Sequence, residues 1–237
     1  MAKKIITVVG GGGKTTFLNL LAQLLVKKQE KVLLTTTTHM MKPSFLSEEH
    51  CLEEENMQKL SSLYEKTSLA ALGIPCCIID GQTKWKSPSF SFLKNITQLS
   101  CPDFILCEGD GSRGLPIKLP RKGEPVLFPE TDTVFALIGL SCYKKPLDEI
   151  FFRRELLPDT FPDFHDTIVT ADLLFRMSDP GVFLPKNAGI SDFHIIFNQA
   201  DVLSESNLSE ILDLCDKIRD NGISCHVVSL KNQYLLQ

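Results

Sequence analysis

The 237-residue chain carries 25 basic and 29 acidic side chains, a formal charge of -4, and 43% hydrophobic residues. That balance gives one α/β domain enough core to fold, and it excludes the basic face that nucleic acid demands and the polybasic segment that a membrane surface demands. No uncharged apolar run approaches the roughly 18 residues needed to span a bilayer, and the basic-then-apolar start meets glycines too early for a secretory core, so a cytoplasmic location is expected.

In chain order, residues 5–9 form a continuous apolar run that stops at glycines, as a strand buried on both faces does. Phe17, Leu20, Leu21, Leu24 and Leu25 then recur at helical spacing, and residues 31–36 are rich in strand formers. This β-α-β order predicts a parallel pair with a right-handed crossover. Residues 43–100 are read as an insertion beside the main sheet. It is expected to hold helices over 48–64 and 88–99 and a hairpin over 76–85 that turns at Asp80-Gly81. Strands are predicted again at 103–107, 134–140, 194–197 and 225–229, with helices at 150–157, 170–178 and 204–220. The expected fold is therefore a single α/β domain with a doubly wound, mostly parallel sheet that binds ligands at the carboxyl ends of its strands.

Eight cysteines and five histidines show no metal-ligand spacing. Adjacent Cys76 and Cys77 invite a redox or sulfur-handling reading, but in a strand they point to opposite faces. The cysteines are read as small hydrophobes, with no disulfide and no zinc site.

Between the first strand and first helix stands Gly10-Gly11-Gly12-Gly13-Lys14-Thr15-Thr16. Glycines let backbone N–H groups approach phosphate oxygens, and the helix N-terminus adds unpaired donors and a positive dipole end. Lys14 would sit on the β- and γ-phosphates and the Thr15 hydroxyl on Mg2+. The usual P-loop opens with a glycine where this chain has Val8.

Residues 102–107 read as a buried strand that delivers Glu108 and Asp110 at its carboxyl end, where either can hold Mg2+ directly or through water. Arg113 follows as a candidate for transition-state charge or an anionic substrate. A second buried strand ends in Asn198-Gln199-Ala200-Asp201, which approximates the Asn-Lys-x-Asp of GTPases with glutamine in place of lysine. Asp201 would accept from guanine N1 and its exocyclic amine, a donor pair that adenine lacks, which favours GTP over ATP. Ser229 ends the last strand where GTPases place a second guanine loop. Thr38 and His39 close the Thr35-Thr36-Thr37-Thr38-His39 run and are candidates for sensing a γ-phosphate, although threonines are also good strand formers.

Taken together, the glycine loop, the threonine-histidine run, Glu108-Gly-Asp-Gly-Ser-Arg-Gly-Leu-Pro-Ile-Lys118 and Phe197-Asn-Gln-Ala-Asp201 resemble the YqeC-like proteins. The resemblance implies a P-loop accessory protein for selenium-dependent molybdenum hydroxylases, with the hydroxylase or its maturation proteins as partners. A maturation NTPase that uses Mg2+ and GTP is the first reading. A small-molecule kinase and a non-hydrolysing, nucleotide-gated chaperone are the alternatives.

Overall fold

A computed structural model describes residues 3–185, 188–190 and 192–236. Its chain divides into two units: one of residues up to Val8, Phe17–Gly111 and Val126–Thr133, the other of Val9–Thr16, Ser112–Pro125 and residues from Val134 onward.

The first unit begins with β1 (Lys4–Gly10), buried without a break from Ile5 onward. Helix α1 (Lys14–Lys27) buries Leu18, Ala22 and Leu25 at helical spacing and carries Lys27 in its last turn, where a cation complements the dipole. After β2 (Val32–Thr36) come β3 (His39–Met41), β4 (Cys51–Leu52) and α2 (Met57–Leu63), whose first turn is capped by Asn56 accepting from the Lys59 N–H at 3.0 Å. Then follow β5 (Leu69–Leu72), β6 (Ile74–Ile79), β7 (Gln82–Lys86), α3 (Phe90–Ile96) and β8 (Phe104–Glu108). The main strands lie in the order β1-β8-β2-β5-β4, all parallel. On one face, Leu60 of α2 and Phe92, Leu93 and Ile96 of α3 pack into a core with Leu33, Leu72 and Ile105. Lys3 ties the helical face to the strand entry by donating to the carbonyls of Ile96, Thr97 and Leu99 at the end of α3.

The second unit holds β9 (Ile117–Lys118), β10 (Thr133–Gly139), α4 (Leu147–Ile150), β11 (Phe151–Phe152), α5 (Leu157–Thr160), α6 (Ala171–Met177), α7 (Pro180–Phe183), β12 (Asp192–Asn198), α8 (Glu205–Asp220), β13 (Ser224–Ser229) and β14 (Tyr234–Leu235). Strands β10, β12, β13 and β14 are neighbours in that order, with β12 and β13 parallel and β14 antiparallel. Helix α8 buries Ile211, Leu214, Cys215 and Ile218 and packs on β13. Parallel strands joined through helices make this a doubly wound, mostly parallel α/β fold, as expected. Among the described residues, no helix is long and apolar enough to cross a membrane.

Four local expectations are corrected. Residues 43–100 do not all lie beside the main sheet, because β5 and β4 extend it next to β2. Residues 48–64 are not one helix: a 3-10 turn at Glu48–His50 and the short β4 precede α2. Residues 150–157 are not one helix either, because Phe151 and Phe152 pair with Ile117 and Lys118, and Arg153 then turns at φ 67°. Cys76 and Cys77 do not point to opposite faces. The register between β6 and β7 shifts at Pro75/Cys77, and both thiols are exposed with their Sγ atoms 3.8 Å apart.

Candidate functional site

The glycine loop is built by close backbone packing within the second unit. The Gly11 N–H donates to the Leu137 carbonyl at 2.8 Å, and a Cβ on Gly11 would stand 2.6 Å from the Leu115 oxygen. Gly12 takes φ 73°, and a Cβ there would collide with Gly139, so only glycine fits this approach. Gly10 and Gly13 also take positive φ, 91° and 117°. Lys14 is 5% exposed and donates from Nζ to the Gly10 carbonyl at 2.6 Å, so its ammonium folds back over the loop. Thr15 and Thr16 are exposed in the first turn of α1, which carries no acidic residue to compete with an incoming anion.

Asn198 braces this loop. Its buried amide donates to the Gly12 carbonyl at 2.8 Å and accepts from the Leu230 N–H at 3.1 Å, so one side chain ties the loop to the segment after β13. Gln199, with φ 69°, turns toward Ser141, whose hydroxyl donates to Oε1 at 2.7 Å. Asp201 is exposed, and buried Ser229 donates to its Oδ1 at 2.6 Å. The cap of α8 is Ser204, which accepts from the Asn207 N–H, so Asp201 is not spent on capping that helix. The strand end thus presents a carboxylate fixed by a hydroxyl, beside an amide committed to the backbone.

In the first unit, β8 runs between β1 and β2 and sets Glu108 opposite both Val8 and Thr36. Glu108 is 7% exposed and Asp110 is fully buried. The Glu108 carbonyl accepts from the Thr36 hydroxyl at 2.8 Å and from the Thr37 N–H at 3.2 Å. The Thr36 hydroxyl in turn accepts from the Thr38 N–H at 3.0 Å. The threonines therefore do more than fill a strand: they pin the acidic strand end. Thr38 Oγ1 is buried with no hydrogen-bond partner among the described residues, and His39 is exposed in β3, opposite Lys86.

Arg113 is exposed at φ 53° and lies over the Phe152 ring at 5.2 Å. Arg153 covers the same ring at 4.7 Å, and the fully buried Lys118 lies 5.9 Å from it. Glu124 accepts from Arg153 and from Lys118, the latter at 3.3 Å, and pairs with Arg121 at 3.0 Å. Burial alone would raise the Glu124 carboxyl, but Arg153 and Lys118 hold it down at about 2. Lys118, Glu124 and Phe152 were not among the residues singled out from sequence. Lys118 closes the Gly-Leu-Pro-Ile-Lys segment that carried the family resemblance, and that was the available signal.

The family model described as "YqeC protein" matches residues 6–155. That span contains the glycine loop, the threonine run, the acidic strand end and the Glu124 group, and it stops before Asn198. No curated protein matches the chain. Among solved structures, HypB from Helicobacter pylori in complex with nickel aligns over 97% of this chain and 80% of that chain, at 11% identity and a TM-score of 0.40. With well over half of its length matched, the chain belongs to the YqeC protein family.

Proposed function

We propose that this protein is a Mg2+-dependent nucleoside triphosphatase, favouring GTP over ATP, that serves in the maturation of a selenium-dependent molybdenum hydroxylase. The observation that carries the reading is the glycine loop with the Lys14 ammonium folded onto the Gly10 carbonyl at 2.6 Å. Such a loop holds a cation and inward-turning N–H groups where phosphate oxygens would exchange for that carbonyl. Thr15, and Glu108 or Asp110, would each offer Mg2+ the hard oxygen ligand that it takes. Lys14 would neutralise phosphate charge, Asn198 would hold the loop in shape, and Asp201, oriented by Ser229, would discriminate the base. Arg113 is the candidate for charge that develops during phosphoryl transfer. Thr38 and His39 are the candidates for sensing the γ-phosphate. The hydroxylase as partner rests on the family resemblance.

Calorimetry with GTP, ATP and CTP in Mg2+, together with phosphate release, tests this reading. GTP should bind tightest. Lys14→Ala should lose a charge-assisted contact of about 1.5–3 kcal/mol, roughly tenfold to a hundredfold in affinity, while its melting curve stays intact. A folded Lys14→Ala protein that binds GTP like wild type defeats the phosphate-loop assignment. For the partner, a molybdenum hydroxylase coexpressed with the Lys14→Ala chain should gain less activity than with wild type.

A further inference from the structure

The β6–β7 hairpin carries two thiols that the nucleotide reading does not use. Strand alternation would separate Cys76 from Cys77, but the register slip at Pro75/Cys77 brings both to the exposed side, with Sγ atoms 3.8 Å apart. Cys76 Sγ lies 3.2 Å from the Lys84 carbonyl, which fixes one thiol against the neighbouring strand. The platform is well held. Trp85 of β7 is fully buried and donates to Glu53 at 2.8 Å, and the turn at Asp80 and Gly81 takes the positive φ values of 49° and 77° that suit a tight hairpin.

Two chemistries compete for such a pair. Adjacent Cα atoms stand about 3.8 Å apart across a trans peptide, below the roughly 4.4–6.8 Å of ordinary disulfides. Closing this pair into a disulfide would strain the ring, and strained, exposed disulfides are readily reduced. The pair therefore persists as a dithiol. Two sulfurs about 2.3 Å from one shared ion at a trigonal angle stand about 4.0 Å apart, so the thiols, at 3.8 Å, already lie close to a bent chelating span that leaves a third position open. Among the described residues, no group of three or more His, Cys, Asp or Glu side chains is placed to hold a metal. The hairpin thus offers two sulfur ligands and open positions. That is too few for a closed zinc site, and it suits a soft ion of low coordination number.

We propose that Cys76 and Cys77 form a two-thiolate chelate for a soft monovalent metal ion of the Cu(I) class. Binding exchanges two S–H bonds for two metal–sulfur bonds and releases two protons. The product carries one negative charge, and Lys84, directly opposite Cys77 in the ladder and so on its face, offsets it. The site is independent of the phosphate loop.

The test is an anaerobic titration of the full chain with Cu(I) alone, against a chromogenic Cu(I) competitor, with proton release followed in parallel. Wild type and Lys14→Ala should each bind one equivalent tightly and release two protons. Cys76→Ser and Cys77→Ser, both at exposed positions, should melt like wild type. Each should lose more affinity than the roughly 10–100-fold that removal of an outer-shell partner costs. Cys51→Ser, at a half-buried thiol outside the hairpin, should change nothing. The proposal is overturned if either hairpin serine variant keeps wild-type affinity. It is equally overturned if the chain isolated without reductant carries a Cys76–Cys77 disulfide that a mild thiol does not open.

Discussion

Ser229 donates to one oxygen of Asp201, and that single contact decides how a substitution there would read out. In Asp201→Asn the serine hydroxyl keeps its acceptor by holding the amide oxygen, so the new NH2 group turns toward the base. A guanine N–H would then meet a donor instead of a charged acceptor. Hydrogen bonds to charged groups contribute about 1.5–3 kcal/mol, so GTP affinity should fall about tenfold to a hundredfold. ATP should hardly move, because adenine has no matching donor pair, and xanthosine triphosphate should gain, because its 2-oxo group accepts from the amide. Since Ser204 caps α8, the variant should melt like wild type. Calorimetry of the three nucleotides checks this, and equal losses for GTP and ATP would sink the guanine assignment while leaving the phosphate loop untouched.

Two-residue strands such as β9 and β11 cannot hold a ladder by themselves, and Glu124 supplies what their backbone bonds do not. It joins Lys118 of β9 to Arg153, the residue after β11. Because the folded carboxyl is held at about 2, below its ordinary 4.5, its contribution is present above about pH 4.5 and is lost as pH falls toward 2. Glu124→Gln should therefore melt lower than wild type at neutral pH, and the gap should close as pH drops through that window. A gap in melting temperature that stays constant with pH would show that shape, not charge, makes Glu124 matter. The same elements show what sequence can and cannot reveal. The β1–loop–α1 unit was legible because apolar runs, glycines and helical spacing are local signals. The β9–β11 pair was not, since each strand is defined only by a partner some thirty residues away. Nor was β5, because Leu-Ala-Ala-Leu contains no β-branched or aromatic residue. At the candidate site the residue types were readable, whereas the tasks of Asn198 and Gln199 depend on Gly12 and Ser141, far off in the chain. The facing of Cys76 and Cys77 turned on a one-residue bulge, which alternation cannot encode.

At the scale of the whole molecule, the chain passes repeatedly between its two units, and three continuous elements are divided between them, β10 after its first residue, Thr133. Lys4–Val8 of β1 belong to the first unit and Val9 and Gly10 to the second, while α1 divides between Thr16 and Phe17. A strand or helix cannot melt in one half and persist in the other without breaking its own ladder, so the chain is expected to unfold as one domain in a single transition. Trp85 makes this measurable. It is the only tryptophan in the chain, it is fully buried, and it belongs to the first unit, whereas residues 9–16 of the loop belong to the second. Its fluorescence and the far-UV circular dichroism should report one coincident midpoint. A ligand at one hundred times its Kd adds about 2.7 kcal/mol to the folded state. For a chain of this size that raises Tm by about 5–11 °C. Saturating GTP with Mg2+ should therefore move the Trp85 midpoint by the same amount as the dichroism midpoint, although the nucleotide would be held by the loop of the other unit. A dichroism signal that shifts with GTP while the Trp85 transition stays fixed would mean that the units unfold separately, and the single-domain reading would fail even if the nucleotide site stood.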